Sequence, residues 1–88
     1  MHSKSEEVAL RRLRWAARRG MLELDLLLEP FIAGRFSSLS SAEQADLERL
    51  LQCQDQDLYA WLLGRAPAPD PALQDLVTAI VTYARSQR

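Results

Sequence analysis

The stretch RRGMLELD, residues 18–25, sets Arg18, Arg19, Gly20, Glu23 and Asp25 around the apolar Met21, Leu22 and Leu24. Trp15 lies just upstream, interleaved with Arg11, Arg12, Arg18 and Arg19. Guanidinium groups beside an indole suit two kinds of recognition: phosphates with stacked bases, or the desolvated centre of a protein contact, where Trp and Arg are enriched. Carboxylates border the strip at Glu6, Glu7, Glu23 and Asp25, and the whole chain carries a formal charge of −1. Repulsion from phosphate therefore disfavours a nucleic-acid partner. The same residues also serve as helix punctuation. Cations at the end of one helix and anions at the start of the next complement both dipoles, each contact being worth about 0.3–1 kcal/mol, with Gly20 as a left-handed cap between them. By residue types alone a helical hairpin is the leading reading and a binding surface the second. The hairpin leaves Trp15 unexplained, because a solvated helix face rarely carries a tryptophan.

Other reactive residues offer little to an enzyme. His2 is the single histidine and sits at the terminus, so neither a Ser-His-acid triad nor a histidine metal site has its parts. Cys53, the single cysteine, has no histidine to activate it and reads as a packed thiol. It allows no intramolecular disulfide, which suits a reducing compartment. No GxGxxG or GxxxxGK[ST] stretch is present to cradle a nucleotide phosphate. Asp55 and Asp57 lack the glycine and distal glutamate of a calcium loop and are expected to cap a helix. No catalytic residue and no metal site is expected.

The elements that position the strip follow from composition and period. An 88-residue chain, 48% hydrophobic with few Gly and Pro, fits one all-α domain with a single core. The reading is a small bundle of about five helices spanning residues 1–88, with flexible ends at about 1–4 and 86–88. Ser3 and Glu6 form a capping-box pattern that opens a first helix to about Arg19, where Gly20 stops it. Ala9, Leu10, Leu13, Ala16 and Ala17 share its core side; Val8, Arg11, Arg12, Trp15, Arg18 and Arg19 share the other. Met21 to about Phe36 is apolar around most of its girth and predicts a central helix buried on more than one side. Pro30 predicts a kink or early end near Glu29, and Gly34 a turn in the chain that follows.

Ser40 and Glu43 repeat the capping box ahead of a third helix, Ala42 to Cys53, with Leu47, Leu50 and Leu51 inward. A short fourth helix, capped by Asp55 or Asp57, aligns Leu58, Trp61 and Leu62 before Gly64 closes it. Arg65 to Pro69 is a proline-stiffened linker. Asp70-Pro71 opens a fifth helix with Leu73, Leu76, Val77, Ile80 and Ala84 inward. The polar, acidic start resembles neither a secretory nor a mitochondrial targeting segment, and no run approaches a membrane span, so a cytoplasmic protein without membrane insertion is expected.

Several segments together resemble a known family. Arg14-Trp15, Arg18-Arg19-Gly20-Met21, Glu23-Leu24-Asp25, Pro30-Phe31, LSSAE at Leu39–Glu43 and LLQCQDQDLYAWL at Leu50–Leu62 are similar to the bacterial SdhE (YgfY) proteins. Those are relatives of mitochondrial succinate dehydrogenase assembly factor 2. The resemblance runs from about residue 10 to about residue 63 in order and spacing. It implies a five-helix domain that is not itself an oxidoreductase. It implies an assembly factor, or chaperone, that binds the flavoprotein subunit of succinate dehydrogenase, and of fumarate reductase in some bacteria, and promotes covalent attachment of FAD to a histidine there. The family's RGxxE motif falls on Arg19, Gly20 and Glu23; Trp15, Arg18 and Asp25 are its neighbours on the expected partner-binding surface. Without a phosphate loop, no FAD is expected to be held stably by this chain, which acts on FAD held by its partner. The rival reading is a generic helical adaptor or nucleic-acid-binding module sharing the hairpin alone.

Overall fold

The computed structural model describes residues 4–87. The expectations for His2 and for a Ser3 cap fall outside the described residues. Five α-helices follow one another: α1 (Lys4–Ala16), α2 (Leu22–Arg35), α3 (Ser41–Leu51), α4 (Asp55–Leu62) and α5 (Pro71–Ser86), with a 3₁₀ turn at Phe36–Ser38 after α2. No strand occurs among the described residues.

Local chemistry sets most of the boundaries. At the start of α3 the capping box closes in both directions: Glu43 N–H donates to Ser40 Oγ at 3.1 Å, and Ser40 N–H donates to Glu43 Oε1 at 2.8 Å. These two bonds satisfy donors that a helix start leaves orphaned. Asp70 caps α5 by accepting from the N–H groups of Ala72 and Leu73 at 2.8 and 3.4 Å, with Pro71 behind it at the first helical position. Gly64, at φ +74°, ends α4 in a Schellman arrangement: Gly64 N–H reaches Trp61 O and Arg65 N–H reaches Ala60 O.

Three local expectations need correction. Helix α1 stops at Ala16 rather than near Arg19. Ala17 N–H and Arg18 N–H still bond to Leu13 O and Trp15 O, but Arg19 N–H turns away to Asp25 Oδ1 at 2.9 Å, so that carboxylate takes the place of the next helical carbonyl. Gly20, at φ +76°, therefore steers the connection into α2 instead of capping α1. Pro30 does not end α2, which continues to Arg35. Leu26 and Pro30 are both exposed, so the Leu26 carbonyl that loses its donor lies on the solvent side. The start of α4 is capped by Gln54 without a side-chain bond; Asp55 and Asp57 stand in its first turn and favour it through the helix dipole. The turn expected after Gly34 comes at Phe36–Ser38, and Gly34 itself lies inside α2. It is the site of a close approach, since a Cβ there would overlap the Tyr83 hydroxyl and ring.

Helix α2 is central, packing on α1, α4, α5 and the 3₁₀ turn, while α5 packs on α2, α3 and α4. Leu24, Leu28 and Ile32 of α2 are fully buried with Leu47, Leu50, Leu58 and Ile80 from α3, α4 and α5. Phe31 and Tyr83 meet edge to face, their ring centroids 5.9 Å apart. Leu13 and Ala17 bring the end of α1 into the same core, whereas Ala16, expected inside, is exposed. Arg49 joins α3 to the start of α5, meeting Asp46 at 3.0 Å and Asp70 at 3.3 Å. Leu22 and Leu26 of α2 do not reach this core. They are 69% and 62% exposed, so the helix is apolar beyond what the monomer buries.

Candidate docking site

The end of α1, the connection and the start of α2 carry the exposed residues of this region: Trp15 and Arg18 line a groove with Glu29, and Glu23 lines another with Leu26 and Trp61. Trp15 stands in the last turn of α1, 74% exposed. Arg18 follows in the connection and lays its guanidinium over the indole, 5.9 Å from the ring centroid. Gly20 is exposed, and a Cβ built on it meets nothing within 4 Å. Space beside its backbone is thus open to an approaching chain. Glu23 and Asp25 occupy the first turn of α2; Glu23 is exposed, and Asp25 is half-buried because its carboxylate accepts from the Arg19 N–H. Leu22 extends the surface with an exposed apolar side chain beside Glu23.

Arg19 departs from the expected exposed platform. Its side chain is 16% exposed and turns inward, away from the surface its neighbours make. One guanidinium nitrogen, Nη2, donates to the Leu51 carbonyl at the end of α3, and Nη1 lies 3.5 Å from Asp55 Oδ1 at the start of α4. The physical reason is that α3 ends and α4 begins beside the connection. The last carbonyls of one helix and an acidic first turn of the next make a strong receptor for a cation. The structure therefore brings Trp15, Arg18, Gly20 and Glu23 to the surface, with Arg19 and Asp25 holding the backbone beneath them.

Two participants were invisible to local spacing: the Leu51 carbonyl and the Asp55 carboxylate, both more than thirty residues from Arg19 in the chain. Spacing separates the outward leucines from the inward ones without saying which side is buried. At about 100° per residue, Leu22 and Leu26 fall on one side of α2 and Leu24, Leu28 and Phe31 on the other.

A groove beside Trp15 is lined by Val8, Arg11, Arg14, Arg18 and also by Glu7 and Glu29. Carboxylates among the arginines make it a poor phosphate track. Cys53 is half-buried against the core, its thiol 3.5 Å from the Arg49 carbonyl, which is the environment of a packing residue. Among the described residues no group of His, Cys, Asp and Glu is placed to hold a metal ion, and no helix is long and apolar enough to cross a membrane.

The fold is a small all-helical domain that exposes Trp15, Arg18, Gly20 and Glu23. The family model described as "flavinator of succinate dehydrogenase", Sdh5, matches residues 11–84, and the chain belongs to that family. Its members are assembly factors rather than catalysts. Among similar proteins, the FAD assembly factor SdhE of Idiomarina loihiensis is 47% identical over 77 residues, covering 84% of this chain and 86% of that one. The FAD assembly factor SdhE of Pseudomonas syringae pv. syringae is 43% identical over 82 residues, covering 93% of this chain and 98% of its own. The solution structure of a UPF0350 protein superposes with a TM-score of 0.74 at 37% identity, covering 99% of this chain and 89% of that one.

Proposed function

We propose that this chain docks on the flavoprotein subunit of succinate dehydrogenase, and on that of fumarate reductase where a bacterium has one, and promotes covalent attachment of FAD there. The docking face is Trp15, Arg18, Gly20 and Glu23, with Arg19 and Asp25 acting from beneath. The observation that carries this reading is the exposed Trp15–Arg18 pair beside an open, left-handed Gly20, on a chain whose family is the succinate dehydrogenase flavinators.

Each residue has a physical task in this account. Trp15 supplies a large, rigid apolar anchor whose burial excludes water from the contact. Arg18, already stacked on it, presents a planar cation for a carboxylate or carbonyl of the partner. Gly20 lets a partner backbone come close. Glu23 accepts from a partner cation or N–H. The bond-forming chemistry belongs to the flavin when it is bound in the partner. What this chain contributes is orientation, since restricting the partner to a reactive geometry converts a rare encounter into a frequent one. No flavin is retained by this chain in the account.

The test mixes the purified chain with the flavoprotein subunit and free FAD and follows flavin fluorescence that survives a denaturing gel. A faster rise than without the chain is expected. An unchanged rate, or flavin that stays with the small chain instead, contradicts the reading.

A further inference from the structure

We infer that Asp55, which lies outside the RGxxE motif, is a positioning residue of the docking face. Its carboxylate and the Leu51 carbonyl clamp Arg19 and so fix the course of the connection between α1 and α2. The inference rests on the docking reading above and says what holds that surface in shape.

Three tethers converge on Arg19. Its backbone N–H donates to Asp25 Oδ1 at 2.9 Å, Nη2 donates to Leu51 O, and Nη1 pairs with Asp55 Oδ1 at 3.5 Å. The side chain is 16% exposed, and Nε is buried without a hydrogen-bond partner. Such a guanidinium is already short of one bond. Removing Asp55 leaves it desolvated with a single carbonyl acceptor, which is costly for a charged group. The side chain then gains by swinging into water, and the connection loses its hold on the α3–α4 corner.

What depends on that hold is the spacing of the exposed groups. Trp15 lies on the α1 side of the connection and Glu23 on the α2 side, with Gly20 between them at φ +76°. A glycine joint has many conformations available, so a fixed neighbour is what selects one. Arg19 suits the task better than lysine because its planar fork can address a carbonyl and a carboxylate at once. The motif arginine thus acts through the fold, and Asp55 is its counterpart across the bundle.

The test titrates the purified flavoprotein subunit lacking covalent FAD with variants, at a temperature where circular dichroism shows each one folded. Asp55→Ala and Arg19→Ala are each expected to weaken binding about tenfold, and the double variant no further, because the residues act as one unit. Asp55→Glu, which keeps the carboxylate, should restore most of the affinity, and a general packing defect would not be rescued that way. If Asp55→Ala folds poorly, Asp55→Asn serves, with faster amide exchange at Arg19 and Gly20 as its signature. Unchanged exchange there overturns the clamp. Full affinity in Asp55→Ala alongside a loss in Glu23→Ala overturns this inference alone. Multiplying losses at Arg19 and Asp55 also overturn it, by indicating that Arg19 touches the partner. Full affinity in Glu23→Ala removes the docking reading and this inference with it.

Discussion

Arg18 stacks its guanidinium over the Trp15 indole at 5.9 Å from the ring centroid, although both side chains lie on the surface. A cation–π contact at an exposed site contributes roughly 0.5–1 kcal/mol, little recompense for leaving so large an apolar ring in water. The pair makes physical sense as half of a contact, with the ring preorganised by its cation and the remaining face free.

Trp15→Ala should therefore separate stability from binding. Urea denaturation is expected to shift by under about 0.5–1 kcal/mol, since the ring is largely exposed. Affinity for the flavoprotein subunit should fall by about thirtyfold or more, as for a central tryptophan of an interface. Equal affinity of variant and parent, measured by calorimetric titration, would remove Trp15 from the contact.

Gly20 carries two roles that a size series can resolve. Its φ of +76° makes any side chain costly, by roughly 1–2 kcal/mol, while the open space around it adds no clash. Gly20→Ala and Gly20→Leu are thus expected to lose similar stability in urea. Affinity should fall further with leucine than with alanine, because the added bulk stands where the partner approaches.

Much of the fold was legible in local chemistry. Ser40 with Glu43, Asp70 with Pro71, and Gly64 each mark a boundary that short-range hydrogen bonds create, so residue type and spacing suffice to find them. Pro30 does not end α2 and Gly34 meets a ring that its spacing did not announce, for a common reason: both effects depend on surroundings. Proline is tolerated where the orphaned carbonyl faces water, and a glycine can answer to a ring on another helix, here Tyr83. The candidate site rested on fewer signals. Helical spacing set Trp15 beside the arginines and the motif resemblance added Gly20 and Glu23, but neither revealed the inward turn of Arg19. Its acceptors, Leu51 O and Asp55, come from the packing of α3 and α4.

Neighbouring leucines on α2 offer a direct check of its facing. Leu24 is fully buried and Leu26 is 62% exposed. Leu24→Ala should cost about 2–5 kcal/mol, a large share of the stability of so small a domain. Leu26→Ala should stay within about 0.5 kcal/mol. Chemical denaturation of the two variants reads the difference, and equal losses would contradict the facing of the helix.

Acid should destabilise the domain through its helix caps. Hydrogen bonds from Ser40, backbone then side chain, hold the Glu43 carboxyl below its ordinary value of 4.5. The Ala72 N–H, then Arg49, hold Asp70 below its ordinary value of 3.8. Both groups bind protons more weakly folded than unfolded, so their contribution is complete above the ordinary values and disappears as pH falls through the depressed ones. Thermal midpoints should be level down to about pH 5 and then decline. Glu43→Gln and Asp70→Asn, which cannot titrate, should flatten that decline; a slope unchanged in both variants would assign acid sensitivity elsewhere.

The measurement that bears most directly on the docking face is the covalent flavin signal of the flavoprotein subunit supplied with Glu23→Ala in place of the parent chain. Glu23 is exposed and lies outside the core, so the variant should keep its helical circular dichroism while the signal drops to the level seen without any assembly factor. Parental levels of covalent flavin with Glu23→Ala would contradict the account.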